Sequence, residues 1–312
     1  MATVLIAGGT GMIGKHLSEM LIQKGFEVIV LTRNHSAALS HHTSLSYTQW
    51  NINEQTIDTT AIQKADYIIN LAGAGVADKR WSKKRKQEIV ESRTMSSALI
   101  VKALNEIPNH IKAVISASAI GWYGPDTNES LQNGFEENAN ADADASYLGT
   151  TCKAWEDSIA PVLTLGKRLV KLRIGIVFSN DGGALKEFLK PLQFKMATVL
   201  GNGKQIISWI HVDDLCRMFL YAIENENING VYNAVAPNPV SNKTLTITLA
   251  KIATTSFFIV IYVPAFILKI ILGEMSIEVL KSATVNSDNI KKAGFNFLYP
   301  TVEIALKNLL NK

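Results

Sequence analysis

The sequence predicts an α/β fold in which helices cover both faces of a parallel sheet, a doubly wound arrangement. Short apolar segments alternate with segments of helical apolar spacing from residue 3 to about residue 178. A glycine-rich turn joins the first strand to the first helix. The 312 residues contain no internal repeat and no low-complexity tract that would suggest another architecture.

The composition is that of an ordinary globular protein. Hydrophobic residues make up 47% of the chain, and a net charge of +4 is spread along it. The one dense basic run, residues 79–86, fits a solvated helix face or a phosphate contact better than a nucleic-acid patch, so we expect no nucleic-acid partner. Cys152 and Cys216 lie far apart without metal-ligand spacing. This predicts free thiols in a reducing compartment and no metal site.

The chain shows no segment expected to direct it into a membrane. A core strand begins within three residues of Met1, which leaves no room for a signal peptide. The longest apolar stretch, residues 257–272, is interrupted by Pro264 and Lys269 and is shorter than the roughly 20 residues that span a bilayer. We interpret it as a buried strand followed by a buried helix. A cytoplasmic protein is therefore expected.

The first strand, residues 3–7, leads into the motif Gly8-x-x-Gly11-x-x-Gly14 and then into an amphipathic helix. Gly8 permits a sharp turn, Gly11 lets the backbone approach a pyrophosphate, and Gly14 lets the helix lie close to the strand. The helix N-terminus adds free N–H groups and the positive end of a dipole. This placement predicts a dinucleotide site. The expected contacts are Gly8, Thr10, Gly11, Met12 and Ile13.

The second strand, residues 26–31, ends in Thr32 and Arg33. The residue at this strand tip faces the adenosine ribose, where an acidic side chain would accept from the 2′-hydroxyl and an arginine can pair with a 2′-phosphate. Arg33 has no acidic neighbour in the sequence. We therefore expect NADP(H) rather than NAD, the alternative being an exposed loop arginine without a ligand.

Further cofactor contacts are expected after the next two strands. A third strand at residues 47–50 is followed by residues that could contact adenine, and a fourth strand at residues 65–71 runs into small residues that would let the backbone lie along the nicotinamide ribose. A long helix is predicted over residues 83–104. The contacts expected here are Asn51, Ile52, Ala72, Gly73, Ala74 and Arg80.

The fifth strand, residues 112–118, ends in Ser118. Chemistry in a parallel sheet gathers at the C-terminal ends of the strands, so Ser118 is a candidate donor to a substrate oxygen. A strand-end serine with an internal partner is the alternative. A sixth strand is predicted over residues 168–178.

The pattern changes after residue 178. A helix near residues 184–196 is followed by a return to the sheet at residues 208–214, where Asp213 or Asp214 is expected to cap a helix that runs through Tyr221. Helices are also predicted at 242–253, 264–280 and 302–310. We expect residues 1–178 with about 206–236 to form the cofactor-binding domain, and about 179–205 with 237–312 to form a smaller α/β substrate region.

With these elements placed, the sequence resembles the extended short-chain dehydrogenase/reductase superfamily, and more narrowly its branch of epimerase family proteins. The matching segments are Gly-Gly-Thr-Gly-Met-Ile-Gly at 8–14, Asn-Leu-Ala-Gly at 70–73, Ser118 before Tyr123-Gly124, Cys152-x-x-Trp155-Glu156, Asp-Gly-Gly-Ala at 181–184 and Trp-Ile-His-Val-Asp-Asp at 209–214. The resemblance implies an NAD(P)-binding Rossmann fold. It also implies an oxidoreductase or epimerase acting on a small carbonyl or hydroxyl compound.

The catalytic dyad of that superfamily, Tyr-x-x-x-Lys, does not occur at the matching positions. The nearest pair is Tyr147 and Lys153, six residues apart and therefore about 240° apart on one helix. Aligned on Trp155-Glu156, the dyad positions fall on Leu148 and Cys152, and neither can move a proton as the dyad does. The hydroxyls of Ser118, Tyr123 and Tyr147 are the catalytic candidates. Tyr147 adjoins the vacated tyrosine position.

Two functions therefore stay open. The first is an NADP-dependent oxidoreductase or epimerase with a non-standard proton donor, acting on a small molecule that the sequence does not identify. The second is a cofactor-binding sensor or partner-binding protein that has lost catalysis and exposes an apolar surface around Trp122 or Trp155. Ile207 stands where nucleotide-sugar epimerases carry a diphosphate-binding arginine, so a sugar nucleotide is not indicated. A homodimer through the helices near 83–104 and 146–160 is compatible with the sequence.

Overall fold

The computed structural model describes residues 1–33, 42–139, 143–254 and 257–311. The strands are β1 Thr3–Ala7, β2 Glu27–Thr32, β3 Leu45–Asn51, β4 Thr56–Ile57, β5 Tyr67–Asn70, β6 Ala113–Ala119, β7 Arg168–Ile174, β8 Ile176–Ser179, β9 Met196–Leu200, β10 Ile206–Ile207, β11 Trp209–His211, β12 Gly230–Ala234, β13 Val240–Ser241 and β14 Ile259–Val263. The helices are α1 Met12–Gln23, α2 Thr59–Lys64, α3 Lys83–Glu106, α4 Asn128–Asn133, α5 Tyr147–Ile159, α6 Gly183–Leu192, α7 Val212–Glu224, α8 Asn242–Ala253, α9 Ala265–Leu272, α10 Met275–Leu280, α11 Asp288–Lys292 and α12 Val302–Leu309.

The central sheet has the order β12-β7-β6-β5-β1-β2-β3-β4, and its strands are parallel except for the short β4. The chain runs outward from β1 to β3, then returns to the other side of β1 for β5, β6 and β7. Successive residues of β1 face opposite cores, Val4 one and Leu5 the other. The doubly wound parallel sheet predicted from the sequence is confirmed. The order in which strands are added to the sheet reverses between β1 and β5, and α/β folds bind ligands at such a point.

The strand predicted over residues 168–178 is in fact two strands. β7 ends at Ile174 and stays in the central sheet, whereas β8 pairs with β11 outside it. The chain crosses between the two sheets at Gly175, where a Cβ would lie 2.6 Å from the carbonyl oxygen of Ser208. Similarly, the helix predicted over residues 264–280 is divided into α9 and α10 by Gly273, whose φ of +62° favours glycine.

The helix α7 is capped by His211 and not by Asp213 or Asp214. His211 Nδ1 accepts the backbone N–H of Asp213 at 3.0 Å. Burial lowers the pKa of His211, which favours the neutral imidazole that can accept this bond. Asp214 is buried in the first turn, where its carboxylate accepts the N–H groups of Leu298 and Tyr299.

The apolar stretch at residues 257–272 is not buried as predicted, apart from single side chains such as Leu268. Ile259 in β14 is 55% exposed, and Phe266 and Ile270 in α9 are 66% and 69% exposed. β14 pairs with β9 along one edge. β14 and α9 both lie at the surface of the C-terminal region. Within the described ranges, no helix combines the length and apolar character needed to cross a membrane.

Candidate functional site

The glycine turn is packed directly between the ends of β1 and β5. Gly8 has a φ of +83°, and its carbonyl oxygen accepts the N–H of Gly11 at 3.1 Å. A Cβ on Gly8 would lie 2.7 Å from the carbonyl carbon of Leu71, and a Cβ on Gly14 would lie 2.5 Å from the oxygen of Gly8. Larger residues would therefore push the first helix away from the sheet at this crevice.

The turn leaves the N-terminus of α1 open to a ligand. Gly11 is the N-cap, and within the described residues no side chain caps this end and no acidic residue occupies the first turn. Thr10 and Gly11 are exposed, and a Cβ on Gly11 would meet only the oxygen of Gly8, at 3.4 Å. Met12 and Ile13 begin the helix. The uncapped N–H groups and the helix dipole suit an anion such as a pyrophosphate.

The predicted adenosine contacts lie at the ends of β2 and β3, which are neighbouring strands. Thr32 is buried at the tip of β2, and Arg33 follows it as an exposed residue. Asn51 ends β3, and its Oδ1 accepts the N–H groups of Asn53 and Glu54. Ile52 packs against the core below. Arg33 and Asn51 thus lie on the same side of the glycine turn.

The predicted nicotinamide contacts follow β5, on the other side of the glycine turn. Ala72 is buried, and its N–H donates to Oδ1 of Asn70 at 3.3 Å. Gly73 is exposed, and the N–H of Ala74 donates to Ser92 Oγ of α3 at 2.9 Å. This loop is therefore held against α3. Arg80 lies further along, with its guanidinium close to Gly273, where a Cβ would be 3.0 Å from Arg80 Nε.

The sequence patterns do not single out Arg93 of α3, which lies beneath this loop. Its NH1 donates to the carbonyl oxygens of Ala74 at 3.0 Å and Ile89 at 2.9 Å, and its side chain is buried. A Cβ on Gly73 would lie 3.0 Å from Arg93 Cζ. The available signal was its position four residues after Ile89, which places it on the buried face of the helix.

Ser118 and Tyr123 both have partners inside the protein. Ser118 Oγ donates to Glu156 at 2.8 Å, and the hydroxyl of Tyr123 donates to Asn233 Oδ1 at 2.8 Å. Both residues are buried, and burial raises the pKa of Tyr123 to about 12. In this structure their hydroxyls do not face an open cleft.

A buried ion pair between Arg173 and Glu156 joins these hydroxyls into one network. Arg173 Nε lies 2.8 Å from Glu156 Oε1, and Lys171 Nζ lies 3.0 Å from Oε2. Arg173 NH1 also donates to the hydroxyl of Tyr123 at 3.1 Å. Burial would raise the pKa of Glu156, but the hydrogen bonds and charge of Arg173 outweigh it and hold that pKa below its ordinary value. The sequence patterns predict no function for Arg173 or Glu156, and Glu156 occurs only as part of a segment that carries the family resemblance.

Two tryptophans lie over buried arginines, and one of these arginines belongs to this network. The guanidinium of Arg173 lies 3.8 Å from the ring centre of Trp122. Trp122 is 8% exposed and Trp155 is 6% exposed, so neither side chain forms the exposed apolar surface that was expected around it. Both side chains instead cover buried cations, Trp155 lying 5.0 Å from the guanidinium of Arg93.

Tyr147 is the least enclosed of the three candidate hydroxyls. It begins α5, its hydroxyl donates to the carbonyl oxygen of Lys86 at 2.9 Å, and its ring packs edge-on against Trp81. Burial raises the pKa of Tyr147 above its ordinary value, so its phenol is protonated near neutral pH. Lys153 is elsewhere on the helix surface, where it pairs with Asp157 at 3.0 Å.

The two positions that the resemblance aligns with the dyad, Leu148 and Cys152, carry uncharged side chains. Cys152 is buried, and burial raises the pKa of its thiol to about 12, so it is neutral. Leu148 and Cys152 both pack against Gly121, where a Cβ would lie 3.2 Å and 3.3 Å from them. In the part of the chain that the structure describes, no group of three or more His, Cys, Asp or Glu residues is arranged to hold a metal ion.

The chain is similar over its whole length to known proteins. Residues 4–148 and 179–234 match the NAD dependent epimerase/dehydratase family, and residues 263–309 match a domain of unknown function, DUF1731. The chain is 34% identical over 311 residues to the epimerase family protein SSP1921 of Staphylococcus saprophyticus, covering 100% of both chains. It is also 34% identical over 307 residues to YfhF of Bacillus subtilis, covering 98% of this chain and 97% of that one.

The fold matches a solved human protein. The epimerase family protein SDR39U1, isoform 2, whose crystal structure contains NADPH, superposes with a TM-score of 0.84 at 24% identity and covers 99% of each chain. The family match and the relatives confirm the resemblance to the epimerase family proteins, and the structural match confirms the Rossmann-type fold.

Proposed function

The chain belongs to the NAD dependent epimerase/dehydratase family, and from that premise we propose that it binds NADP(H) across the crevice between β1 and β5. The observation that carries the proposal is the glycine turn before the uncapped N-terminus of α1. Its backbone fits a pyrophosphate because no side chain caps the first N–H groups of α1, and a Cβ on Gly11 would meet only the oxygen of Gly8, at 3.4 Å. The adenosine half would lie over β2 and β3, and the nicotinamide half over β5 and β6.

Arg33 supports NADP(H) over NAD. It is exposed at the tip of β2, where a guanidinium can pair with a 2′-phosphate in bidentate geometry. The structurally similar human protein was solved with NADPH.

We expect Arg33→Ala to weaken NADPH binding by about 10- to 100-fold, because one charge-assisted contact to the phosphate contributes about 1.5–3 kcal/mol. NADH binding should change by less than about twofold, since NADH has no 2′-phosphate. Titrations of both nucleotides against the wild type and the variant measure this. Lys24→Ala, an exposed cation at the far end of α1, is the matched control. If neither nucleotide binds the wild type at micromolar concentration, the cofactor proposal fails.

For the chemistry, we propose reduction of a small carbonyl compound, with Tyr147 as the proton donor. Bound NADPH would supply a hydride to the carbonyl carbon. The phenol of Tyr147 is protonated near neutral pH and therefore holds the proton that the carbonyl oxygen needs. The proton leaves Tyr147 as the C–O double bond becomes a single bond, so the product is a hydroxyl compound.

Tyr147→Phe is expected to lower turnover at least about 100-fold while NADPH affinity stays within about twofold, since the ring that packs on Trp81 is kept. NADPH oxidation is followed with a panel of small aldehydes and ketones. Tyr123→Phe is the comparison, because it also removes one phenol hydroxyl but from the buried network. A loss of turnover in Tyr123→Phe with none in Tyr147→Phe would reject Tyr147 as the donor.

A second function, binding without turnover, is favoured by one observation. The hydroxyls of Ser118, Tyr123 and Tyr147 all bond to protein groups, and Leu148 and Cys152 replace the dyad. A protein that binds NADPH in this crevice and oxidises none of it with any panel compound would have this function, that of an NADPH sensor.

A further inference from the structure

Arg93 differs from the other buried arginines of this region in how its charge is balanced. Arg173 is paired with Glu156 at 2.8 Å, and Arg85 is paired with Glu88 at 2.8 Å. Around Arg93, by contrast, no carboxylate among the described residues lies within 4 Å of the guanidinium. Its contacts are the carbonyl oxygens of Ala74 and Ile89 and the ring of Trp155. Burying a cation to 91% without a counter-charge costs free energy of folding, which indicates that the charge serves a function.

The position of Arg93 indicates which part of a bound ligand its charge would act on. It lies directly beneath Gly73, at the end of β5, on the side of the glycine turn opposite to Arg33 and Asn51. A dinucleotide with its pyrophosphate on α1 and its adenosine over β2 and β3 extends its other half over this loop. Arg93 also acts electrostatically on Cys152 and Tyr147, the residues at and beside the vacated dyad positions.

We propose that Arg93, from beneath the loop over which the nicotinamide half of the cofactor would lie, makes the site selective for the reduced nucleotide. The oxidised nicotinamide ring carries a positive charge and the reduced ring carries none, so a fixed buried cation nearby repels only the oxidised form. This inference rests on the proposed binding of NADP(H).

The test is the ratio of the dissociation constants of NADP⁺ and NADPH. The wild type is expected to bind NADPH about tenfold more tightly, and Arg93→Gln is expected to bring the ratio close to one, while Arg93→Lys keeps most of it. Binding of 2′,5′-ADP, which has no nicotinamide, should be the same in all three proteins. A wild-type protein that binds NADP⁺ as tightly as NADPH overturns the inference without any variant.

Arg85→Gln is the matched control for an effect on the loop alone. Arg85 is also buried on α3 and donates to the carbonyl oxygen of Gly75 in the same loop, but its charge is balanced by Glu88. We expect Arg85→Gln to leave the ratio unchanged. An equal change of the ratio in both variants, or a loss of 2′,5′-ADP binding in Arg93→Gln, means that Arg93 only supports the loop. If the wild type binds neither nucleotide, the proposed function itself has failed.

Discussion

Glu156→Ala is expected to lower the free energy of unfolding by about 3–5 kcal/mol, the cost of leaving a buried partner charge uncompensated. Arg173 is 3% exposed and would lose its ion pair, while Ser118 would lose its acceptor and Lys171 its partner. Ser118 and Arg173 lie opposite each other on β6 and β7, and Glu156 of α5 bonds to both. The substitution therefore weakens the contact between α5 and the sheet. Urea titration measures the loss.

The pH dependence of stability provides a second measurement of the same ion pair. The pKa of Glu156 is lower in the folded protein than its ordinary value of 4.5, so the unfolded chain takes up the proton first on acidification. The stabilisation is therefore present above about pH 4.5 and is lost as the pH falls through the folded pKa. The difference between the wild type and Glu156→Gln should shrink over that range.

Glu187→Ala removes an exposed ion pair with Lys190 on α6 and is the control, with little expected change. A Glu156→Ala protein as stable as the wild type would show that the network does not hold α5 to the sheet.

The parts of this protein that the sequence predicts are those with local patterns. The spacing of Gly8, Gly11 and Gly14 after an apolar strand predicts the turn. The atoms that leave no room for a side chain at Gly8 and Gly14 belong to residues of the turn itself or of the neighbouring strand end. The alternation of apolar segments likewise predicts the order of strands and helices. The cap of α7 is local too, but the helix begins at Val212, so the N-cap position falls on His211 and Asp213 lies inside the first turn.

The remaining features depend on residues that are distant in the chain. Glu156 and Arg173 are joined across a helix and a strand, and Arg93 meets the loop after β5 only because α3 packs beneath it. The exposure of residues 257–272 also could not be predicted, because an apolar sequence does not show whether another part of the protein covers it. These are choices of tertiary packing.

The nucleotide site offers a sharper test through a pair of glycines. Gly11→Ala is expected to leave the stability nearly unchanged, because the new Cβ would meet only the oxygen of Gly8, at 3.4 Å, and Gly11 has an ordinary φ of −75°. It should nevertheless weaken NADPH binding by about 100-fold or more, since the methyl group occupies the space where the pyrophosphate approaches the N-terminus of α1.

Gly14→Ala is expected to weaken binding as strongly and to destabilise the fold by about 1–3 kcal/mol as well. Its Cβ would lie 2.5 Å from the oxygen of Gly8 and 2.5 Å from Cα of Gly9, and neither backbone atom can move without shifting α1 off the sheet. Calorimetric titration and thermal melts of both variants separate the two effects. If Gly11→Ala binds NADPH like the wild type, the pyrophosphate does not lie on this turn, and the glycines serve only the close contact of α1 with β1.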